Sequence, residues 1–148
     1  MNDRTYVYSL HIATTPERLW QALTDDVFIQ QYWGGEWRME SDWKAGSVVT
    51  YFAKDDSYFS EGEVLESHPP EKLSYTWPNP PEEQGDRPPE VLTWEIASSG
   101  PGTVKLTLIH GRLTEEFYQG VSQGWPAILS SLKSLLEGGK TLAFHPKL

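Results

Sequence analysis

The chain has 148 residues, a length typical of one domain with one hydrophobic core. It carries 12 basic and 21 acidic residues, a net charge of -9, and its basic residues form no run; nucleic acid is therefore not expected as a partner, because phosphate binding needs a basic face. The absence of cysteine excludes disulfides, a thiolate nucleophile and cysteine-ligated metal sites.

Nothing in the sequence indicates export or a membrane span. No apolar run approaches the roughly 20 residues that cross a bilayer, and the start, "MNDRTYVYSL", lacks the basic-then-apolar layout of a signal peptide. We therefore expect a cytoplasmic protein, either a monomer or a weak homodimer. We further expect residues 1–148 to form one domain and residues 138–148 to be a flexible tail.

The aromatic content is high for a chain of this size. Aromatic residues make up 13% of the sequence, with 7 Trp, 7 Tyr and 5 Phe. Large flat side chains provide contact area at low entropic cost, so some of them are expected to line a groove or a cavity. The alternative is that all of them fill an aromatic-rich core.

The first third of the chain predicts one strand followed by two short helices. Residues 4–12, "RTYVYSLHI", alternate between apolar and polar side chains, which is typical of a half-buried strand. Thr14 or Thr15 can cap the helix that follows, and Asp25 or Asp26 can cap the second one.

The middle of the chain changes to a period of two and predicts a six-strand antiparallel meander. It is interrupted at residues 78–90, "PNPPEEQGDRPPE", where five prolines and four acidic residues predict an exposed loop. The last predicted strand, "TVKLTLIH", ends at His110.

Residues 115–137 predict the longest helix, about 34 Å in length. Gly120, Gly124 and Pro126 lie in its middle, where a glycine costs about 1 kcal/mol and a proline about 3 kcal/mol relative to alanine. We interpret the first half as the roof of a cavity and the second half as packing on the sheet, with a kink or a new helix start at Pro126. The alternative is a loop that joins two short helices.

Several segments together resemble a known family. In order they are "PERLWQALTD", "QYWGG", "KAGSVVTYF", "GEVLESHPPEKLSYTW", "VLTWEI", "GTVKLTLIHGRL" and "GWPAILSSLKSLLE". They resemble the helix-grip fold of the SRPBCC, or START-like, superfamily, and within it the group similar to the C-terminal domain of the activator of heat-shock protein 90 ATPase. The resemblance runs from Tyr6 to Glu137; the proline in "GWPAIL" departs from it, because the family usually continues this helix unbroken.

The resemblance implies an α+β fold in which a curved antiparallel sheet of six to seven strands wraps around a long C-terminal helix. Two short helices follow the first strand, and a cavity lies between sheet and helix. Members of the wider superfamily bind lipids, sterols, polyketides and other apolar small molecules, and some are cyclases or hydroxylase components.

Nine residues are expected to line this cavity. They are Trp33, Trp37, Tyr51, Tyr75, Trp94, His110, Val121, Gly124 and Trp125. His110 is either a polar contact in the cavity, an acid–base group, or a hydrogen-bonded histidine at a strand end. No motif for a triad, a zinc peptidase, a dinucleotide or a phosphate loop is present, so we assign no catalytic residue. We expect no metal and no other cofactor.

Three functions remain open. The first is binding of an apolar or aromatic small molecule, lipid-like or polyketide-like, with Tyr51, Tyr75 and His110 as polar contacts. The small molecule would enter the cavity near "YWGG", residues 78–90 and the start of the last helix. The second is a protein-partner module resembling a chaperone ATPase activator, which predicts an exposed apolar patch. The third is a cyclase-like enzyme that uses His110 with a tyrosine or a carboxylate.

Overall fold

The computed structural model describes residues 3–35, 37–77 and 87–142, which form seven strands and three helices. In chain order they are β1 (Arg4–Ile12), α1 (Pro16–Thr24), α2 (Asp26–Tyr32), β2 (Trp37–Glu40), β3 (Val48–Ala53), β4 (Tyr58–His68), β5 (Lys72–Trp77), β6 (Glu90–Gly100), β7 (Thr103–Leu113) and α3 (Glu115–Gly138).

The seven strands form one curled antiparallel sheet with the order β1-β7-β6-β5-β4-β3-β2. Strands β2 to β7 follow one another as neighbours, so the predicted meander is confirmed. β1 pairs with β7 and places Tyr6 opposite His110. The fold is the helix-grip α+β arrangement that the sequence predicted.

The concave face of the sheet is apolar because the side chains alternate along each strand. Leu92, Trp94 and Ile96 of β6 are buried, as are Leu106 and Leu108 of β7. Helix α3 lies over this face and contacts β1, β7 and α2. The core therefore lies between the sheet and α3, with α1 and α2 closing one side.

Each helix begins at a polar cap. The Thr15 hydroxyl accepts a hydrogen bond from the backbone N–H of Arg18, and Asp25 accepts one from that of Val27. At the start of α3, Thr114 accepts one from Phe117. Such caps satisfy helix N–H groups that have no partner within the helix. Of the predicted alternatives, Thr15 and Asp25 are the residues used.

Helix α3 runs without interruption from Glu115 to Gly138, with Pro126 inside it. The predicted new start at Pro126 is therefore wrong, and so is the alternative of a loop between two short helices. The surrounding packing stabilises a helix that local propensity disfavours. It ends where Gly139 adopts a left-handed conformation (φ 76°) and its N–H bonds the carbonyl of Leu135.

Two predicted strand limits are also wrong. β7 continues to Leu113, so His110 lies within the strand and not at its end. β6 begins at Glu90, which is only 2% exposed, so the exposed loop predicted for residues 78–90 does not include this residue. Residues 78–86 of that loop and 143–148 of the predicted tail lie outside the described residues. Within the described ranges, no helix is long and apolar enough to cross a membrane.

Candidate functional site

Five aromatic residues and one histidine converge between the sheet and α3; they come from four strands, from α3 and from the residue that caps the end of α2. We call them the aromatic cluster; its members are Trp33, Tyr51, Trp77, Trp94, His110 and Trp125. The Trp77 ring is central, with its centroid 6.0 Å from that of Trp33, 5.8 Å from Tyr51, 5.9 Å from His110 and 5.6 Å from Trp125.

Trp125 brings α3 into the aromatic cluster. Its ring centroid lies 5.4 Å from that of Trp33 and 5.6 Å from that of Trp94, with interplanar angles of 73° and 89°. These edge-to-face arrangements are favourable because the positive edge of one ring meets the negative face of the other. Trp125 is fully buried, so the cluster joins the middle of α3 to the sheet.

A buried hydrogen-bond relay crosses the aromatic cluster. The Trp125 indole Nε1–H donates to Nδ1 of His110 at 3.0 Å, and His110 Nε2 lies 2.7 Å from Oε1 of Glu90. An indole can only donate, so Nδ1 of His110 must be unprotonated. The imidazole is therefore neutral, carries its proton on Nε2 and donates it to the Glu90 carboxylate.

The contacts of this relay distinguish between the roles predicted for His110. Both ring nitrogens are engaged, and none of the His110 side chain is exposed. The predicted interpretation as a hydrogen-bonded histidine fits these contacts, although the residue is not at a strand end. An acid–base role would require one of the two bonds to break first.

Three buried tyrosines lie beside the cluster or within it. The Trp94 Nε1–H donates to the Tyr75 hydroxyl at 3.0 Å, and the Tyr51 hydroxyl donates to the backbone carbonyl of Thr76 at 2.6 Å. Burial raises the pKa of the Tyr75 phenol. It also raises the pKa values of Tyr51 and Tyr32, which lie well above the usual value for tyrosine. All three phenols are therefore protonated donors at neutral pH.

The structure brings most of the predicted site residues together. Trp33, Tyr51, Trp94, His110 and Trp125 are in the aromatic cluster, and Tyr75 is bonded to Trp94. Val121 and Gly124 are buried on α3. Val121 lies one turn before Trp125 and therefore faces the same way.

Trp37 is the exception among the aromatic residues. It lies on the edge strand β2, is half-buried and packs against Phe59 with ring centroids 4.9 Å apart. It shares no ring contact with the aromatic cluster among the described residues. The alternation along β2 predicts which face of the sheet Trp37 occupies, but it does not predict how far Trp37 lies from the aromatic cluster.

The sequence analysis did not select Trp77 and Glu90. Trp77 could have been found, because it alternates with Tyr75 on β5 and both face inward. No sequence pattern indicated that Glu90 is buried, because it is the last residue of a proline-rich acidic segment that predicts exposure.

A separate acidic recess of about 660 Å³ lies where α1 and α2 meet β2 and β3. Its lining includes Asp26, Glu40 and Trp43. Arg38 pairs with both carboxylates at its rim, and burial raises the pKa of Asp26 against the opposing effect of Arg38. No group of three potential metal ligands occurs in the described part of the chain.

The sequence profile of one family, described as activator of Hsp90 ATPase homolog 1-like protein, matches residues 13–137. The chain belongs to this family. The match covers every described element except β1 and the last residue of α3, and the helix-grip fold agrees with it. No curated protein is significantly similar in sequence.

Solved structures similar to this family member share its fold. Protein MLL2253 from Mesorhizobium loti is 27% identical, with a TM-score of 0.73 over 90% of this chain and 96% of that one. The Aha1 dimer from Colwellia psychrerythraea is 21% identical, with a TM-score of 0.74 over 93% and 98%. PFC0360w, an HSP90 activator from Plasmodium falciparum, is 22% identical, with a TM-score of 0.63 over 82% and 86%.

Proposed function

We propose that this protein binds a flat apolar or aromatic small molecule at the aromatic cluster between the sheet and α3. The observation that carries the proposal is the presence of buried polar groups among the rings. An apolar core needs no hydrogen-bonding groups, whereas a binding site combines an apolar lining with a few fixed polar atoms. The relay from Trp125 to Glu90 and the Tyr75 hydroxyl are such atoms.

Binding requires one ring of the cluster to move. Neighbouring centroids lie 5.4 to 6.1 Å apart, which leaves no room for a further ring between them. Trp125 is the ring best placed to move, because it lies between Gly124 and Pro126 on α3. Proline has no N–H, so the helix lacks the bond that residue 126 would otherwise make to the carbonyl of Ser122.

The test is a screen by thermal shift and tryptophan fluorescence against fatty acids, sterols, flavonoids and polyketides. A ligand of the native state must raise the melting temperature, and a ligand among the rings must change tryptophan emission. Silence across the panel at saturating concentrations, in a folded sample, would count against the proposal.

The site itself is tested with two variants of matched chemistry. Trp94→Phe changes a ring of the aromatic cluster, and Trp37→Phe changes one outside it. We expect the first to weaken binding of a hit and the second to leave it unchanged. If the more severe Trp94→Ala leaves affinity unaltered in a folded protein, the ligand binds elsewhere.

A protein-partner module is the second candidate. The Tyr58 side chain is 61% exposed and lies opposite Phe52 at the end of the β3–β4 pair, next to the edge strand β2. Two of the similar structures are named as Aha1 and as an HSP90 activator. The net charge of -9 would steer a basic partner, with binding that weakens as salt increases.

This candidate is tested by the ATPase rate of the Hsp90 from the same source, with and without this protein. A rate increase that Tyr58→Ser abolishes and Trp94→Phe preserves would support a partner surface at β3 and β4. No change in the rate would count against it.

A further inference from the structure

This inference rests on the proposed function and concerns the polar group that the ligand carries. It starts from the place of the Trp125 indole, which we call the indole slot. Four rings surround that place with centroids 5.4 to 6.1 Å from the Trp125 centroid, and they belong to Trp33, Trp77, Trp94 and His110. The interplanar angles lie between 58° and 89°. The slot therefore has aromatic walls and the size of one flat bicyclic ring.

The relay fixes the polarity of the indole slot. Nδ1 of His110 accepts the Trp125 indole proton at 3.0 Å, whereas Nε2 lies 2.7 Å from Oε1 of Glu90 and donates to it. A carboxylate can only accept, so the proton of His110 stays on Nε2 and Nδ1 stays an acceptor when Trp125 moves aside. Glu90 thus sets the slot to receive a hydrogen-bond donor.

Movement of Trp125 leaves one described polar atom of the aromatic cluster without its partner. The Trp94 indole donates to the Tyr75 hydroxyl and the Tyr51 hydroxyl donates to a backbone carbonyl, so neither bond depends on Trp125. The atom that loses its partner is Nδ1 of His110, whose side chain is fully buried. A buried acceptor without a donor costs free energy, so a ligand that supplies the donor gains affinity over one of the same shape that does not.

We propose that the ligand presents a flat bicyclic aromatic ring with an N–H or hydroxyl donor, which takes the place of the Trp125 indole and donates to Nδ1 of His110. Indoles and naphthols belong to this chemical class. The Trp125 side chain is then an internal occupant of the slot that the ligand displaces. A larger ligand would place one such ring system between the same four rings.

The experiment measures calorimetric affinities of the parent protein for indole and benzofuran. The two compounds share a flat bicyclic shape, but benzofuran has a ring oxygen in place of the N–H donor. We expect indole to bind about tenfold more tightly, the effect of one buried hydrogen bond. The third compound is 1-indanone, a bicyclic ketone that offers only an acceptor and should bind no better than benzofuran.

Trp125→Ala empties the indole slot while it keeps His110 and Glu90. Indole and benzofuran should both bind more tightly to this variant than to the parent protein, because neither has to displace a side chain. Indole should keep its advantage. Trp37→Ala removes a tryptophan outside the aromatic cluster and is the matched control, which should improve the binding of neither compound. Folding of both variants is checked by thermal melting, and the comparison in the parent protein decides the proposal without them.

Glu90→Gln tests whether Glu90 sets the polarity of the slot. An amide can donate as well as accept, so once Trp125 is displaced His110 can carry its proton on either ring nitrogen. We expect the preference for indole over benzofuran to fall several-fold in this variant. An unchanged preference would overturn the part assigned to Glu90.

The outcomes separate the two proposals. If the parent protein binds members of the broader panel but binds indole no better than benzofuran, the donor requirement is overturned while the proposed binding function stands. A preference for 1-indanone would show that Nδ1 of His110 donates and would also overturn the requirement. If the parent protein binds none of the three compounds and the panel is silent as well, both proposals fail together, whatever Trp125→Ala binds.

Discussion

Trp125 donates its indole proton to Nδ1 of His110, and this bond ties the middle of α3 to strand β7. Closer to the C-terminal end of α3, the Lys133 side chain donates a hydrogen bond to the backbone carbonyl of His11 on β1 at 2.7 Å. The second contact is exposed, whereas the first is fully buried. Because a buried hydrogen bond is costly to break when one partner stays unsatisfied, the first should matter more for stability.

The protonation state of His110 is a first prediction. We expect nitrogen-15 NMR at neutral pH to show a neutral imidazole with its proton on Nε2, because Nδ1 accepts from a donor-only indole. A proton on Nδ1 would contradict the relay.

The same relay predicts the effect of Trp125→Phe. This change removes the donor, leaves Nδ1 of His110 unsatisfied and opens space in the aromatic cluster. We expect a loss of about 2–4 kcal/mol in the free energy of unfolding, measured by urea denaturation. Trp37→Phe, at the half-buried edge strand, is the control and should cost less than half as much. Equal losses would show that the indole bond adds little.

Buried tyrosines predict that stability falls at alkaline pH. Burial raises the folded-state pKa of Tyr32, Tyr51 and Tyr75 above the usual value near 10. Below pH 10 these phenols are protonated in both states, and their contribution is fully present. As the pH rises above 10, only the unfolded chain loses the protons, so the free energy of unfolding decreases until the folded-state pKa is reached.

The size of this effect can be measured. Each tyrosine should lower the free energy of unfolding by about 1.4 kcal/mol per pH unit above pH 10. Urea denaturation at several pH values between 9 and 11.5 gives the slope. Tyr32→Phe should reduce the slope by about 1.4 kcal/mol per pH unit, and Tyr58→Phe, a change at an exposed side chain, should leave it unaltered. A slope that is the same in all three proteins would mean that the Tyr32 phenol ionises in the native state over this pH range.

The sequence predicted the faces of the strands better than their extent. Alternation along β6 and β7 correctly placed Trp94 and His110 on the inner face, because side chains in a strand repeat every two residues. The same rule predicted an inward Trp37, but alternation contains no information about position across the sheet. Trp37 is on the edge strand, away from the cluster.

Long-range pairing explains what the sequence could not show. Glu90 follows a proline-rich acidic run, so local chemistry predicts exposure. It is buried because β6 pairs with β5 on one side and β7 on the other, which brings Glu90 to His110, twenty positions away. The continuity of α3 through Pro126 likewise depends on packing that local propensity does not describe.

Gly62 gives a test of the sheet beside the aromatic cluster. A Cβ atom added at this residue of β4 would lie 2.6 Å from Oγ1 and 2.7 Å from the backbone oxygen of Thr76. That oxygen also accepts the Tyr51 hydroxyl bond, so the clash cannot be relieved without moving β5. We expect Gly62→Ala to destabilise the protein by about 1–3 kcal/mol in chemical denaturation.

The matched control is Gly111→Ala on β7, where the nearest atom to an added Cβ is 3.8 Å away. That distance is an ordinary contact, so the change should stay within about 1 kcal/mol of the parent. If both variants lose the same stability, the loss in Gly62→Ala does not come from the close approach of Gly62 to Thr76.

Pro126 is predicted to reduce the stability of α3. Without an N–H it cannot bond the carbonyl of Ser122, and an interior proline costs about 3 kcal/mol relative to alanine in a helix. Proline also restricts the unfolded chain, which offsets up to about 1 kcal/mol of that cost. We therefore expect Pro126→Ala to raise the free energy of unfolding by about 1–2 kcal/mol. Ala127→Gly, at the adjacent half-buried position, should lower it by about 1 kcal/mol.

The same variant tests whether α3 must move when a ligand binds. A stiffer helix should hold Trp125 more firmly in the aromatic cluster, so Pro126→Ala should bind a screening hit more weakly while melting at a higher temperature. Greater stability with unchanged affinity would show that Trp125 need not leave its place. Unchanged stability would show instead that the packing around α3 already compensates for the missing bond at Ser122.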